Sequence, residues 1–389
     1  MRQFIKEHAG NDLNKLLLSA SRYPDIDVPF AVGQIACRRQ IRDKIPLWYS
    51  NELLLYPAGI AVEQCSSEQT ALYKQRLTGA GEHVCDLTGG LGVDSFFLSR
   101  KAKQVTYIER NAKYCEAARH NFAVLGADNI VVMEGDARSL HGLPLPVDLF
   151  YVDPARRSGE GKRIFAVNDC EPDLTLLLPS LLQRAGRVIA KLSPMADLRH
   201  TLSILPGVTD IHVLSVRNDC KELLFVIGRD TAGAQPAIHC VHFTAGGREE
   251  YFSFTLEEER DFPATWATDG PETFLYEPNP SILKAGAFKS IARKGVSKLH
   301  VSSHLYTSCH MVDDFPGRRF KVDDIIPFGS HSCKKLHKTI TNANITTRNF
   351  PITVKELRRR TGIAEGGHRY LFATTLFDST KALIVCHKV

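Results

Sequence analysis

The sequence predicts an α/β fold: a doubly wound, mostly parallel sheet, with a helical segment before it and an α+β domain after it. Three observations predict it. From about residue 81 to 230, short apolar runs alternate with helical stretches. The first run leads through a glycine-rich turn into a helix, in VCDLTGGLGVDSF. The last two runs, DIHVLSV and ELLFVIGR, have only RNDCK between them. That is too short for a helical crossover, so the sheet gains one antiparallel strand.

Residues 1–80 read as a helical N-terminal cap. Leu13, Leu16 and Leu17 share a face, as do Phe30, Val32, Ile35 and Ala36, and Pro24, Pro29, Pro46 and Pro57 divide the segment into short helices. Residues 81–230 carry the sheet: HVCDL, QVTYIER, NIVVMEGDA, VDLFYVDP and GRVIAKLSP as five parallel strands, then the hairpin. Residues 231–389 read as a separate α+β domain. There TAGAQPA is a linker, HCVHFTAGGREEYFSFTL a hairpin, and Pro280 to Gly295 one helix. VKELRRRTG is a further helix, and RYLFATTLF and KALIVCHKV a final strand pair.

The composition is that of an ordinary globular chain of 389 residues, 43% apolar and 24% charged. No apolar run approaches the length of a membrane span, and the N-terminus lacks the apolar core of an export signal. No two of the ten cysteines stand closer than 20 residues, which excludes CxxC zinc or redox patterns and suggests a reducing cytoplasm.

The glycine loop suits a ligand that approaches the backbone closely. A phosphate-binding P-loop requires a Lys followed by Ser or Thr, and none follows. A dinucleotide fingerprint requires GxGxxG, which GGLGVD and the serine after it do not complete. Asp86, just before the loop, would repel a pyrophosphate and attract an ammonium group. Glu109 ends the second strand, where an acid accepts hydrogen bonds from ribose hydroxyls. Asp136 follows the third strand, placed to take an adenine amine, and Asp153 ends the fourth. Four acids at four strand ends point to a cationic, phosphate-free ligand with a ribose.

This pattern resembles the Rossmann-like S-adenosylmethionine-dependent methyltransferases, over residues 60–230. The resemblance implies a seven-stranded sheet with one antiparallel strand and S-adenosyl-L-methionine as cofactor. It assigns Asp86, Thr88, Gly90 and Gly92 to the loop beside the methionine part, Glu109 to the ribose and Asp136 to the adenine. Thr88 stands where the family's motif has its first glycine, a variation also found in ribosomal-RNA guanine methyltransferases. Related enzymes close a segment upstream of the first strand over the methionine end. Here that segment is EQCSSEQTALYKQRL, with Gln64, Ser66 and Ser67 as contacts or helix caps.

On the acceptor side, DPAR resembles the Asp-Pro-Pro-Tyr motif of methyltransferases acting on exocyclic amines. Asp153 and the Pro154 carbonyl would accept hydrogen bonds from the target amine, so that positioning supplies much of the catalysis. Ala155 and Arg156 replace the later motif positions, and the stacking aromatic is missing. Arg156, Arg157, Lys162 and Arg163 form a basic loop suited to phosphates. The displacement needs neither a metal nor a protein nucleophile. Cys170 and Cys220 lie in no motif for pyrimidine attack.

Between Ser281 and Tyr370 there are 17 Lys and Arg against 6 Asp and Glu, a local excess of +11 in a chain of net +6. Arg318, Arg319, Lys334 and Lys335 are candidate substrate contacts, with Lys289, Arg293, Lys294, Arg348 and Arg358. The arrangement resembles a bacterial methyltransferase family with a THUMP-like C-terminal domain, and THUMP domains help RNA-modifying enzymes bind RNA. The expected function is methyl transfer to a base nitrogen of rRNA or tRNA. A protein or small-amine acceptor, or a catalytically silent RNA-binding protein, are the alternatives.

Overall fold

The computed structural model describes residues 1–139, 142–143, 146–156, 170–231, 233 and 235–389. The chain divides into two compact units. The first is Met1–Thr209 with Leu223–Ala234, and the second is Asp210–Glu222 with Gln235–Val389.

The first unit opens with the short helices α1 (Arg2–Glu7), α2 (Leu13–Leu18), α3 (Val28–Ile41), α4 (Pro46–Tyr49), α5 (Gly59–Gln64) and α6 (Glu68–Arg76). Carboxylates and a hydroxyl start several of them: Asp12 caps α2, Asp27 caps α3 and Ser67 caps α6. Between α3 and the chain beyond it, the Gln34 amide exchanges hydrogen bonds with the backbone of Tyr56.

Strand β1 (His83–Asp86) leads through the glycine loop to α7 (Val93–Ser99). Then come β2 (Gln104–Glu109), α8 (Ala112–Val124), β3 (Ile130–Glu134), β4 (Leu149–Val152) and the short β5 (Ala155–Arg156) and β6 (Cys170–Glu171). After them follow α9 (Leu174–Arg184), β7 (Arg187–Leu192), α10 (Leu198–Ile204), β8 (Val208–Val216) and β9 (Asp219–Gly228).

The strands β7-β4-β1-β2-β3 run parallel in that order, and Leu223–Gly228 of β9 lies antiparallel on β7. All four residues of β4, LFYV, are buried, as expected of a strand covered on both faces. The N-terminal helices pack on α7 and α8. Trp48, fully buried, meets Phe96 edge-on in a cluster that also holds Phe97, Tyr107 and Phe122.

In the second unit, β10 (Ala237–Phe243) pairs parallel with β8, and β11 (Glu249–Thr255) pairs antiparallel with β10. The hairpin between β10 and β11 is the expected one. Its parallel pairing with β8 is new, because the sequence pattern specifies a strand but not its neighbour. Helix α11 (Leu256–Asp261) follows, begun by a Thr255–Glu258 capping box.

A seven-stranded sheet fills the rest: β12 (Phe274–Pro278), β13 (Ser297–Lys298), β14 (Tyr306–Ser308), β15 (Gly317–Pro327), β16 (Asn344–Arg348), β17 (Arg369–Thr375) and β18 (Lys381–Lys388), in the order β13-β14-β12-β15-β18-β17-β16. Alternation sorts its two faces. Leu371, Ala373, Leu383 and Val385 pack under α13 (Ser330–Thr339) and α14 (Val354–Thr361), while Phe372, Ile384 and Cys386 pack on the other side with Phe320. The single helix expected over Pro280–Gly295 is instead a helix over Pro280–Ala285 and a 3-10 turn over Ser290–Lys294. Gly286 adopts φ +81°, which ends the helix after six residues.

Glu277 on β12 is almost fully buried and holds two arginines. Arg318, its register partner on β15, donates to one carboxylate oxygen, and Arg348 at the end of β16 donates to the other at 2.7 and 3.0 Å. Strands β15, β18 and β17 separate β12 from β16. In a flat sheet that span is roughly 19 Å, beyond the reach of the two side chains, so the sheet curls and this ion pair joins β12 to the edge strand β16. Replacing Glu277 by Gln is expected to lower unfolding stability in chemical denaturation. The loss should fall somewhat below the ~3–5 kcal/mol typical of a broken buried pair, because Arg318 and Arg348 keep 33% and 39% of their side-chain surface.

Candidate functional site

The carboxyl edge of the parallel sheet carries the candidate site, and its centre is the loop after β1. Asp86 is buried and satisfied by its own loop: one oxygen accepts the Thr88 N–H at 3.0 Å, the other the Ser95 hydroxyl at 2.6 Å. Burial pushes this carboxyl up to about 7, with the Ser95 and Thr88 hydrogen bonds opposing. Asp86 therefore organises the loop.

The loop is fastened to β2. Gly89 N–H donates to the Ile108 carbonyl at 2.8 Å, Gly90 N–H to Glu109 at 3.0 Å, and the Tyr107 hydroxyl to the Gly90 carbonyl at 2.6 Å. The glycines have different reasons. A Cβ on Gly89 would stand 2.2 Å from the Tyr107 ring, and one on Gly92 (φ +87°) 2.8 Å from Phe122. Gly90, at φ +53°, meets nothing closer than 3.7 Å and leaves its face open. Glu109 is half-buried and also accepts the Asn111 N–H at 2.9 Å. Asp136 lies two residues past β3, and Arg138 engages both of its oxygens, which holds the carboxyl down to about 2.

The upstream segment reaches the same edge by another route. The Ser66 hydroxyl donates to Asp94 at 2.8 Å, and the buried Lys74 ammonium bonds Ser66 at 2.6 Å and Asp94 at 2.9 Å. Tyr151 on β4 adds its hydroxyl to Asp94 at 3.0 Å. Lys74 is the main attraction holding the Asp94 carboxyl low against burial. Ser67 caps α6, and Gln64 is exposed.

Asp153 joins this group from the end of β4. Its N–H donates to the Thr88 hydroxyl at 2.7 Å, and its carboxylate pairs with Lys191 near the end of β7. Burial raises the Asp153 carboxyl while Lys191 opposes it. Pro154 is buried. Arg156 lies on β5 opposite Cys170, and Arg157, Lys162 and Arg163 fall outside the described residues. Burial pushes the Cys220 thiol up to about 12, against the thiolate a nucleophile needs.

Lys74 and Lys191 were not anticipated from sequence. Their signal was a lysine inside an otherwise core-facing pattern, TALYKQRL and VIAKL.

The basic candidates of the second unit are mostly committed to neighbours. Arg318 and Arg348 serve Glu277, Arg319 contacts Asp313, and Lys294 pairs with Asp314. Lys289 and Arg293 donate to backbone carbonyls, as does Arg358. Lys334 and Lys335 are exposed on α13.

Comparison with known proteins places this geometry. Residues 317–388 match the THUMP domain-like family, and residues 274–316 a ferredoxin-like domain family. The crystal structure of a candidate methyltransferase from Porphyromonas gingivalis W83 superposes with a TM-score of 0.89 at 38% identity, covering 100% of this chain and 97% of that one. The chain belongs to this methyltransferase family, with its C-terminal THUMP-like domain.

The methyltransferase also matches the ribosomal RNA small subunit methyltransferase J of Rhodopseudomonas palustris strain BisB5, at 33% identity over 33% of this chain and 67% of that protein. A protein-L-isoaspartate O-methyltransferase of Brucella anthropi is 29% identical over 34% of this chain, and the match spans 54% of that relative.

The buried Asp86 gives the site a pH signature. A carboxyl raised on folding supports the fold below its unfolded value of about 3.9 and loses that support as pH rises through about 7. Urea denaturation should therefore show the wild type losing stability relative to Asp86→Asn between about pH 4 and pH 7, by up to a few kcal/mol. Parallel curves for the two proteins would contradict this reading.

Proposed function

We propose that this methyltransferase uses S-adenosylmethionine to methylate a base nitrogen of ribosomal or transfer RNA. The observation that carries the reading is the union of Asp153 with the glycine loop, through its N–H to Thr88, at an edge that also presents Glu109.

The donor set fits such a cofactor. Gly90 offers an open backbone face, and Glu109 is a pure acceptor held in place by two backbone donors. The carboxylates gathered there favour a cation and disfavour a phosphate. When bound, S-adenosylmethionine supplies an electrophilic methyl group on a sulfonium.

In this reading Glu109 accepts from the ribose hydroxyls. Asp136 takes the adenine amine in exchange for part of its Arg138 contact. Thr88, Gly90, Gly92 and Asp86 shape the seat of the methionine part, bordered by Gln64, Ser66 and Ser67. Asp153 and the Pro154 carbonyl accept the acceptor amine's N–H bonds and aim its lone pair. Arg156 and Arg157 are the candidate phosphate contacts on the acceptor side.

The likeness to ribosomal RNA small subunit methyltransferase J and the THUMP-like match support RNA as substrate. Among the basic candidates, the exposed Lys334 and Lys335 suit phosphate contact best. Ten free cysteines accord with a cytoplasmic setting. Among the described residues no helix is long and apolar enough to cross a membrane.

Calorimetry tests the cofactor. S-adenosylmethionine and its demethylated product should bind, and Glu109→Ala should weaken binding by about tenfold or more. Asp153→Ala should spare binding and sharply lower methyl transfer. Equal loss of binding in both variants would contradict the separate roles.

RNA binding is tested by reversing Lys334 and Lys335 to Glu. Affinity should fall, and the dependence of log K on log salt should flatten by about two units. An unchanged slope would favour an acceptor other than nucleic acid. Nucleoside mass spectrometry of rRNA and tRNA with and without the gene identifies the product.

A further inference from the structure

Lys191 is absent from the assignments above, yet it makes the closest contact to the proposed acceptor-binding carboxylate. Its ammonium pairs with Oδ2 of Asp153, and the lysine keeps only 12% of its side-chain surface while Asp153 keeps 35%. The pair stands on two adjacent parallel strands, with Asp153 just past β4 and Lys191 on β7. Backbone geometry fixes the other side of Asp153, since its N–H is taken by the Thr88 hydroxyl. Among the described residues, no donor reaches Asp153 Oδ1.

Resting on the proposed function, we propose that Lys191 is a positioning residue for methyl acceptance: it holds Asp153 ionised by Oδ2 and leaves Oδ1 to accept the N–H of the acceptor amine.

The chemistry asks for such a partner. As the N–CH₃ bond forms and the donor's S–CH₃ bond breaks, the acceptor nitrogen gains positive charge and must release a proton. The nearest base is the Asp153 carboxylate, which takes that proton and later returns it to solvent. To serve, Asp153 must begin ionised although burial disfavours its charge. The described groups that bear on it electrostatically are Lys191 of β7, Lys74 of α6, Asp94 of α7 and Asp86 of β1. The two aspartates oppose its ionisation, and the two lysines favour it, Lys191 most strongly. A neutral residue at 191 therefore tips Asp153 towards the protonated acid, which cannot accept both an N–H bond and a proton.

The test uses the full chain with Lys191→Met, Lys191→Arg, Asp153→Asn and the Lys191→Met/Asp153→Asn double variant. Removing the charge should move the acid limb of the methyl-transfer rate up by about one pH unit or more. Lys191→Arg should keep the limb near its wild-type position. In the Asp153→Asn background, Lys191→Met should change the residual rate by less than about twofold, because the two residues act as one unit. An unmoved limb in Lys191→Met, or losses that simply add, would overturn the inference.

A second readout does not depend on turnover. Carbon-13 carboxyl NMR should show Asp153 titrating at higher pH in Lys191→Met than in the wild type, and an unchanged titration would overturn the proposal. If that variant does not fold, the wild-type Lys191 ammonium resonance should shift in step with the Asp153 titration; uncoupled titrations would overturn it equally. Failure to bind S-adenosylmethionine, with the coupled titration intact, would instead count against the proposed function and leave the ion pair standing.

Discussion

The first unit's site depends on one constraint: three aspartates, one buried, one nearly so and one half-buried, are brought together at a sheet edge. Asp86, Asp94 and Asp153 arrive from β1, α7 and the end of β4, and each bears on the ionisation of its neighbours. Like charges so placed cannot all be ionised without compensation. The chain answers with three different devices. Asp86 takes hydrogen bonds from its own loop and drifts towards neutrality. Asp94 is clasped by Lys74, Ser66 and Tyr151, which ties the upstream helices to the loop. Asp153 is paired with Lys191 across two strands. The shape of the glycine loop, the placement of α6 and the orientation of Asp153 all follow from these devices.

Much of this edge was legible in the sequence. Strand ends are legible because apolar runs stop abruptly, and an acid at the stop has few destinations in an open α/β sheet. Asp86, Glu109 and Asp153 fell at strand ends for that reason. The purpose of individual glycines was less legible. Gly89 and Gly92 are required by Tyr107 and Phe122, residues of β2 and α8 that no local reading of the loop would consult. Lys74 and Lys191 escaped notice because pattern reading treats a lysine in an apolar stretch as a solvated exception. Both are held inside by carboxylates distant in sequence.

Charge composition in the second unit shows the excess but not which charges already have partners. A count of lysines and arginines records charge without its partner. The excess between Ser281 and Tyr370 looked like a surface for anions, yet Arg318 and Arg348 converge on Glu277, and Arg359 and Arg360 on Glu356. The helix expected over Pro280–Gly295 failed at Gly286, because its composition is helical while one positive φ stops the chain. The strands β17 and β18, by contrast, were plain, since alternation there serves two packed faces at once.

The Glu277 ion pairs also tie together two stretches of chain that match different families. The ferredoxin-like and THUMP-like segments meet between residues 316 and 317, as though two modules had been joined end to end. Glu277 belongs to the earlier segment, and both of its arginines to the later one. The ladder between β12 and β15 crosses the same border. Removing the arginines from the later segment would leave the Glu277 carboxylate of the earlier one buried without compensation. Two segments that match separate families thus share one buried charge balance and one strand ladder.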